Sequence, residues 1–158
     1  MIPSLLADHK GVLAMTRIAQ CSCGSLRAEA NGEPVLVHVC NCTECQRRTG
    51  SAFLVNSFFP KSEVRTHGPS KVYIRDGQED RKLRLHFCPE CGTTVYGESD
   101  ARPAMIAISV GAFADPNFPA PMRSIWEASQ HSWVALNPDI RQFPHAPDDM
   151  PRSRTASP

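Results

Sequence analysis

The chain lacks most of the features that announce a function from sequence. No run approaches the roughly 18 consecutive apolar residues that a membrane-spanning helix needs, so no such helix is expected. Lysine plus arginine (17) and aspartate plus glutamate (16) nearly cancel, for a formal net charge of +1. That balance gives none of the basic excess by which nucleic-acid modules show themselves, and no nucleic-acid partner is indicated. There is no glycine-rich phosphate loop, no dinucleotide fingerprint and no Ser-His-Asp set in the sequence. Residues 1–20 have no basic start, no continuous apolar stretch and no small-residue cleavage site, so no secretory leader is read there.

What remains is ordinary globular composition with one anomaly. The 158 residues are 41% apolar and 21% charged, which fits one domain with a core of its own. The anomaly is seven cysteines. An odd number cannot pair within one chain, and the spacings C-x-C, C-x-C-x-x-C and C-x-x-C suit metal ligation better than a disulfide framework. Thiols kept ready for metal imply a reducing compartment, and the chain is expected to be cytoplasmic.

The rest of the pattern is mainly β, as short strands. Apolar alternation or β-branched runs predict strands over 26–30, 35–39, 53–59, 71–75, 83–87, 93–97 and 105–110. Leu83, Leu85 and Phe87 alternate with Arg84 and His86, which predicts an apolar face turned inward and a charged face turned outward. One helical turn is expected after Cys42 and another near Asp115. Beyond Gly111 the chain is punctuated by prolines, with Trp126 and Trp133 expected to seal the sheet. Phe53, Phe58 and Phe59 read as core. The division expected is an N-terminal extension over 1–15, a β domain over 16–143 and a flexible tail over 144–158.

The cysteines fall into three stretches: Cys21-Ser22-Cys23-Gly24, Cys40-Asn41-Cys42-Thr43-Glu44-Cys45 and Cys88-Pro89-Glu90-Cys91-Gly92. The last is a zinc knuckle by its chemistry, because proline fixes the entry and glycine permits a tight turn that aims backbone amides at the sulfurs. A structural zinc takes four protein ligands, and one knuckle supplies two. Cys21 and Cys23 are the economical second pair, which leaves Cys40, Cys42 and Cys45 as three ligands with one position open. The alternative is a ribbon of Cys42, Cys45, Cys88 and Cys91 with the other three spare. His38 could also complete the triplet, although it reads more simply as a strand residue.

These motifs in this order, C-x-C-G, then C-x-C-x-x-C-x-R-x-T-G-S, then C-P-x-C-G, with F-F-P after the second, resemble the glutathione-dependent formaldehyde-activating enzyme and centromere protein V family. The resemblance covers roughly residues 16–137. It implies a zinc-bearing β-tent type fold of short antiparallel strands in a single domain. It also implies a structural zinc on Cys21, Cys23, Cys88 and Cys91, and a second zinc on Cys40, Cys42 and Cys45. The activity implied is that of a carbon-sulfur lyase joining glutathione and formaldehyde, or another small thiol and aldehyde, as an S-(hydroxymethyl)glutathione synthase does. A thiolate gathered with three others around zinc carries a local charge of about −2, which a nearby cation offsets. Arg47 stands at the arginine position of the motif and is expected to support the site, with Arg48 beside it. Thr49, Gly50 and Ser51 are expected to form a turn that holds a peptide-like substrate. Glu44 could relay protons and His86 could support Cys88, although a surface-facing His86 is the simpler reading. The other function compatible with these residues is a zinc-stabilised binding module without catalysis.

Overall fold

The structure, a computed structural model, describes residues 15–77 and 81–147. The expected N-terminal extension, apart from Met15, and positions 148–158 of the expected tail lie outside the described residues. In chain order the elements are β1 (Thr16–Gln20), β2 (Arg27–Asn31), β3 (Leu36–Cys40), α1 (Thr43–Thr49), β4 (Leu54–Pro60), β5 (Val64–His67), β6 (Lys71–Asp76), β7 (Lys82–Phe87), β8 (Thr94–Ser99), β9 (Met105–Ser109), β10 (Arg123–Ile125) and β11 (Arg141–Gln142). The chain is therefore mostly strand, in one domain. Each strand predicted from alternation is present to within about two residues at its ends. The strands β1, β5, β10 and β11 were not delimited by the sequence pattern, because four are short, mostly polar or set among prolines.

Two sheets form. β1, β2 and β5 make a three-stranded antiparallel sheet in the order β1-β2-β5, and the other eight run β11-β10-β3-β4-β9-β8-β7-β6. The larger sheet is mixed rather than wholly antiparallel, since β10 pairs parallel with both β3 and β11. Pro116, Pro119 and Pro121 explain how. They keep the connection after β9 out of any ladder while it crosses back to lay Arg123 beside His38.

Registers across the eight strands define two faces, because residues paired directly opposite point the same way. One face carries Phe59, Tyr96, Ile106 and Ile108, which pack with Val95 and Cys88 against Ala19, Cys21, Leu26, Ala28 and Ala30 of the small-sheet side. Alanines there let the two sheets approach closely, and Phe59, Leu26 and Ile108 are wholly buried. Each such side chain contributes about 1.5–3 kcal/mol by leaving water. The opposite face carries in successive rows Cys40, Leu54 and Ile125, then Arg123, His38, Asn56 and Ser109, then Leu36, Phe58, Ala107, Gly97, Leu85 and Tyr73. Among the described residues no second sheet covers this face, and the triplet of cysteines lies at one end of it.

Two expectations about orientation are corrected. His86 is not surface-facing: it stacks on Tyr96 with ring centroids 4.3 Å apart, hydrogen-bonds Ser70 at 3.2 Å and meets Glu98 at 3.3 Å. The reason is that its face of β7 looks toward the sheet-to-sheet side, where Tyr96 is buried. Trp133 does not seal the sheet, since it is 71% exposed and touches the ring of His131. It sits in a turn rather than a strand, so no sheet row faces it. Trp126 does pack inward, against the cluster of Cys40, Cys45, Leu54 and Ile125. Phe58 and Phe59 are buried and Phe53 is half-buried. The helical turn near Asp115 falls slightly earlier, as a 3-10 turn over Val110–Phe113.

Candidate metal centres and adjoining cavity

Cys21, Cys23, Cys88 and Cys91 bring their sulfurs within 4.8 Å of one another. Cys21 and Cys88 are buried, Cys23 and Cys91 exposed. The two halves come from opposite sheets: Cys21 and Cys23 follow β1, while Cys88 and Cys91 lie in the β7–β8 turn. Local chemistry shapes each half alike. Gly24 and Gly92 both take the left-handed conformation, at φ 78° and 73°, where a residue with a Cβ is strained. Cys88 N–H donates to the Thr93 carbonyl at 3.0 Å and Gly92 N–H to the Cys88 carbonyl at 2.9 Å, closing the knuckle. Ser22 then hydrogen-bonds Thr93 across the gap at 3.0 Å. Leu26 N–H points at the Cys21 sulfur at 3.2 Å, and the Cys91 thiol is held low, at about 5, chiefly by the Thr93 hydroxyl.

The fit to zinc can be tested on distances. Four sulfurs at about 2.3 Å around a tetrahedral ion lie about 3.8 Å apart. Cys21 and Cys23 are 3.5 Å apart, and Cys23 and Cys88 are 3.6 Å apart. The donor set, all thiol, is that of a closed structural site.

Cys40, Cys42 and Cys45 form the second group within 4.8 Å, from the end of β3 and the start of α1. Where one turn was expected, α1 makes two, from Thr43 to Thr49. Cys42 caps it, its sulfur accepting the Cys45 N–H at 3.4 Å, and Thr49 closes it with its hydroxyl on the Cys45 carbonyl at 2.8 Å. The three sulfurs crowd together within 4.8 Å of one another. Cys42 is held far below the usual thiol range by its thiol neighbours Cys40 and Cys45, with the Cys45 amide and the charge of Arg75 helping. Cys40 is pushed up by the same two neighbours and by burial. The opposed shifts show how strongly the three thiols act on one another, and a divalent cation bound here would hold all three as thiolates. A soft ion that accepts three sulfurs, zinc foremost, fits this group.

Asn41 sits between the ligating positions and was not singled out by the sequence. It is wholly buried, its side chain donates to Ser124 Oγ at 2.9 Å and to the Ile125 carbonyl at 3.0 Å, and its own carbonyl accepts from Gln46 at 2.7 Å and from Ser129 at 2.9 Å. Together these bolt the triplet to β10. Trp126, in the left-handed conformation at φ 61°, closes the same corner. His38 is not in the triplet's group. It lies one row away on the same face, 4% exposed, and burial together with Arg123 and Arg102 lowers its pKa to about 3, so it is neutral.

Beside the triplet opens a cavity of about 340 Å³ lined by Glu44, Arg47, Arg48, Tyr73, Arg75, Leu85, Phe87 and Thr94. Arg47 and Arg48 both line it, with Arg47 paired to Glu44 at 3.1 Å. Thr49, Gly50 and Ser51 do not line it; the Thr49 hydroxyl is engaged with the helix end and Ser51 N–H donates to it at 3.2 Å. Tyr73, Arg75, Leu85 and Phe87 were not foreseen as site residues. Alternation puts Tyr73 and Arg75 on one side of β6, but only the register with β7, Tyr73 opposite Leu85, brings that side round to face α1. No cysteine lines the cavity, yet Arg48 acts electrostatically on Cys45 and Arg75 on Cys42. The cavity is a cationic chamber adjoining the sulfurs.

A two-sheet β domain with one cluster of four cysteines and one of three, the latter beside a cationic cavity, defines a class of cysteine-rich proteins whose grouped thiols have the spacing of metal ligands. The chain belongs to the family described as glutathione-dependent formaldehyde-activating enzyme, whose model matches residues 16–129. A Fusarium vanettenii protein named provisionally as such an enzyme is 34% identical over 89 residues, which are 50% of this chain and 47% of that protein. A Colletotrichum graminicola protein with the same provisional name is 31% identical over 84 residues, 47% of this chain and 43% of that one. The chain thus spans about half the length of the curated relatives it matches. A crystal structure of a Rhodobacter sphaeroides protein aligns at 20% identity with TM-score 0.48, over 60% of this chain and 85% of that one. At that similarity the likeness bears on neither fold nor function.

Proposed function

We propose that the chain catalyses reversible addition of a thiol, glutathione in the first instance, to a small aldehyde such as formaldehyde, a carbon-sulfur lyase reaction run in the direction of synthesis. The observation that carries this reading is the three-thiol group of Cys40, Cys42 and Cys45 opening beside a cavity with three arginines. Three protein ligands are the arrangement that leaves a position for an exchangeable group, whereas four close a site.

In this reading Cys21, Cys23, Cys88 and Cys91 hold a structural zinc, and Cys40, Cys42 and Cys45 hold the second. A zinc ion at the triplet supplies Lewis acidity and lowers the pKa of a thiol brought to it. The remaining work belongs to side chains. Arg48 from α1 and Arg75 from β6, both lining the cavity, bind the substrate's carboxylates and orient its thiol toward the triplet. Arg47, exposed at the rim and paired with Glu44, draws anions in. Glu44 is the carboxylate among the described lining residues, and it takes the thiol proton and returns it to the oxygen of the new hydroxyl group. The sulfur–carbon bond forms as the carbonyl π bond breaks, and the proton count is unchanged. Among the described residues no helix is long and apolar enough to cross a membrane.

The test is the rate of adduct formation from glutathione and formaldehyde, followed by NMR, with zinc-loaded protein. Acceleration that disappears in Cys42→Ser is expected. Protein that carries two zincs per chain yet neither binds glutathione nor changes the rate is a zinc-stabilised binding module instead.

A further inference from the structure

The cavity has more in it than formaldehyde needs. Part of the lining is charged, with Glu44, Arg47 and Arg48 from α1 and Arg75 from β6, and part is an apolar strip of Tyr73, Leu85 and Phe87 from the sheet. Cross-strand pairing makes the strip continuous, since Tyr73 lies opposite Leu85 and Leu85 opposite Gly97. Gly97 has no side chain to fill the space, and a Cβ there would sit 3.0 Å from Leu85 Cδ2. Leu85 itself is 8% exposed, whereas Tyr73 stands 53% exposed at the wall.

A hydroxymethyl group is one carbon and one oxygen, and buries almost no apolar surface. Glutathione is peptide-like, with two carboxylates and an ammonium group, and its complement is the arginine side. Neither partner accounts for an aromatic and aliphatic wall, because apolar lining favours a ligand in proportion to the apolar area it covers. The wall lies on the sheet side together with Arg75, while the helix side carries Glu44, Arg47 and Arg48, so a two-ended ligand can use apolar and charged lining at once.

We infer that the carbonyl component handled at this site is an aldehyde bearing an apolar, preferably aromatic, substituent, which lies along Tyr73, Leu85 and Phe87 while the thiol's carboxylates meet Arg48 and Arg75. The inference rests on the thiol-addition reading above and names its substrate class. The chemistry is the same addition: the thiol sulfur bonds the carbonyl carbon, the π bond breaks, and the thiol proton ends on the hydroxyl oxygen, with no oxidant or reductant required.

Binding separates the possibilities without turnover. Zinc-loaded protein is titrated calorimetrically with S-methylglutathione and S-benzylglutathione, stable stand-ins for a one-carbon and an aromatic adduct. S-benzylglutathione is expected to bind about tenfold more tightly, the worth of burying roughly 60 Å² of apolar surface. Tyr73→Thr, an exposed edge-strand change that keeps strand propensity, is expected to erase most of that ratio while leaving S-methylglutathione binding within about twofold. Arg75→Gln is expected to weaken both and preserve the ratio. Equal affinity of the two compounds for the wild type overturns the inference and leaves the thiol-addition reading intact. A tenfold preference unchanged by Tyr73→Thr overturns the placement on this strip. Absence of binding by either compound overturns the thiol-addition reading and the inference with it.

Discussion

The two cysteine clusters use the same side chain for opposite ends. The group of four draws its members from both sheets, with Cys23 and Cys88 65 residues apart in sequence, so anything that holds them together ties the fold across its main interface. The group of three comes from six consecutive positions at the end of one strand and the start of one short helix. It is held by Asn41 and Gln46 through hydrogen bonds that need no metal. A metal on the first group would close a long loop and so bear on stability, whereas one on the second would close only a short one.

The sharpest way to break that contrast is to remove one sulfur from each. Cys88→Ser is expected to abolish cooperative thermal unfolding, because metal binding at such a site is coupled to folding and is worth about 10 kcal/mol or more. Cys42→Ser should lose one metal equivalent by elemental analysis and keep its transition midpoint within a few degrees. A molten Cys42→Ser protein would show that the triplet also holds the fold.

Gly68→Ala probes the four-cysteine side without touching a sulfur. Gly68 has φ 90°, and a Cβ there would meet the Ser25 carbonyl oxygen at 1.7 Å, in the loop that presents Cys21 and Cys23. A loss of about 3 kcal/mol in denaturant unfolding is expected, from clash and backbone strain together.

Smaller effects are expected on the other face. His38 is buried and neutral with its pKa lowered from 6.5 to about 3. The unfolded chain therefore takes up a proton that the folded chain refuses as pH falls from 6.5 toward 3, and stability drops over that window. Between pH 7 and pH 5 the loss is about 2 kcal/mol. His38→Gln should remove that part of the slope, read as the difference between the two proteins in urea unfolding at pH 7 and pH 5. Smallest of all, Arg75→Gln should weaken glutathione binding about tenfold, about 1.4 kcal/mol, with no shift in thermal midpoint.

Much of this was legible before any fold was known, and the reasons are local. Alternation over Lys71-Val72-Tyr73-Ile74-Arg75 and over Leu83 to Phe87 marks strands because side-chain direction repeats every two residues. Cysteine spacing with a following glycine marks a metal turn because ligand distance and the left-handed turn both depend on a few neighbouring residues. His86 and Trp133 depart from the sequence expectation for one reason: which side of a strand is covered, and whether a tryptophan finds a sheet row to lie on, depends on residues far away in sequence. The same distance hid Asn41, whose partners Ser124 and Ile125 lie 83 and 84 residues on.

By itself the sequence determined the inventory: short strands, seven thiols in three stretches, a pair of arginines after the triplet. Only tertiary structure decided the grouping and the surroundings. The antiparallel register of β6, β7 and β8 turned Tyr73, Arg75, Leu85 and Phe87 toward α1 and made a cavity out of an unremarkable hairpin. Long-range pairing sets which surfaces face each other, and a binding site is a property of facing surfaces.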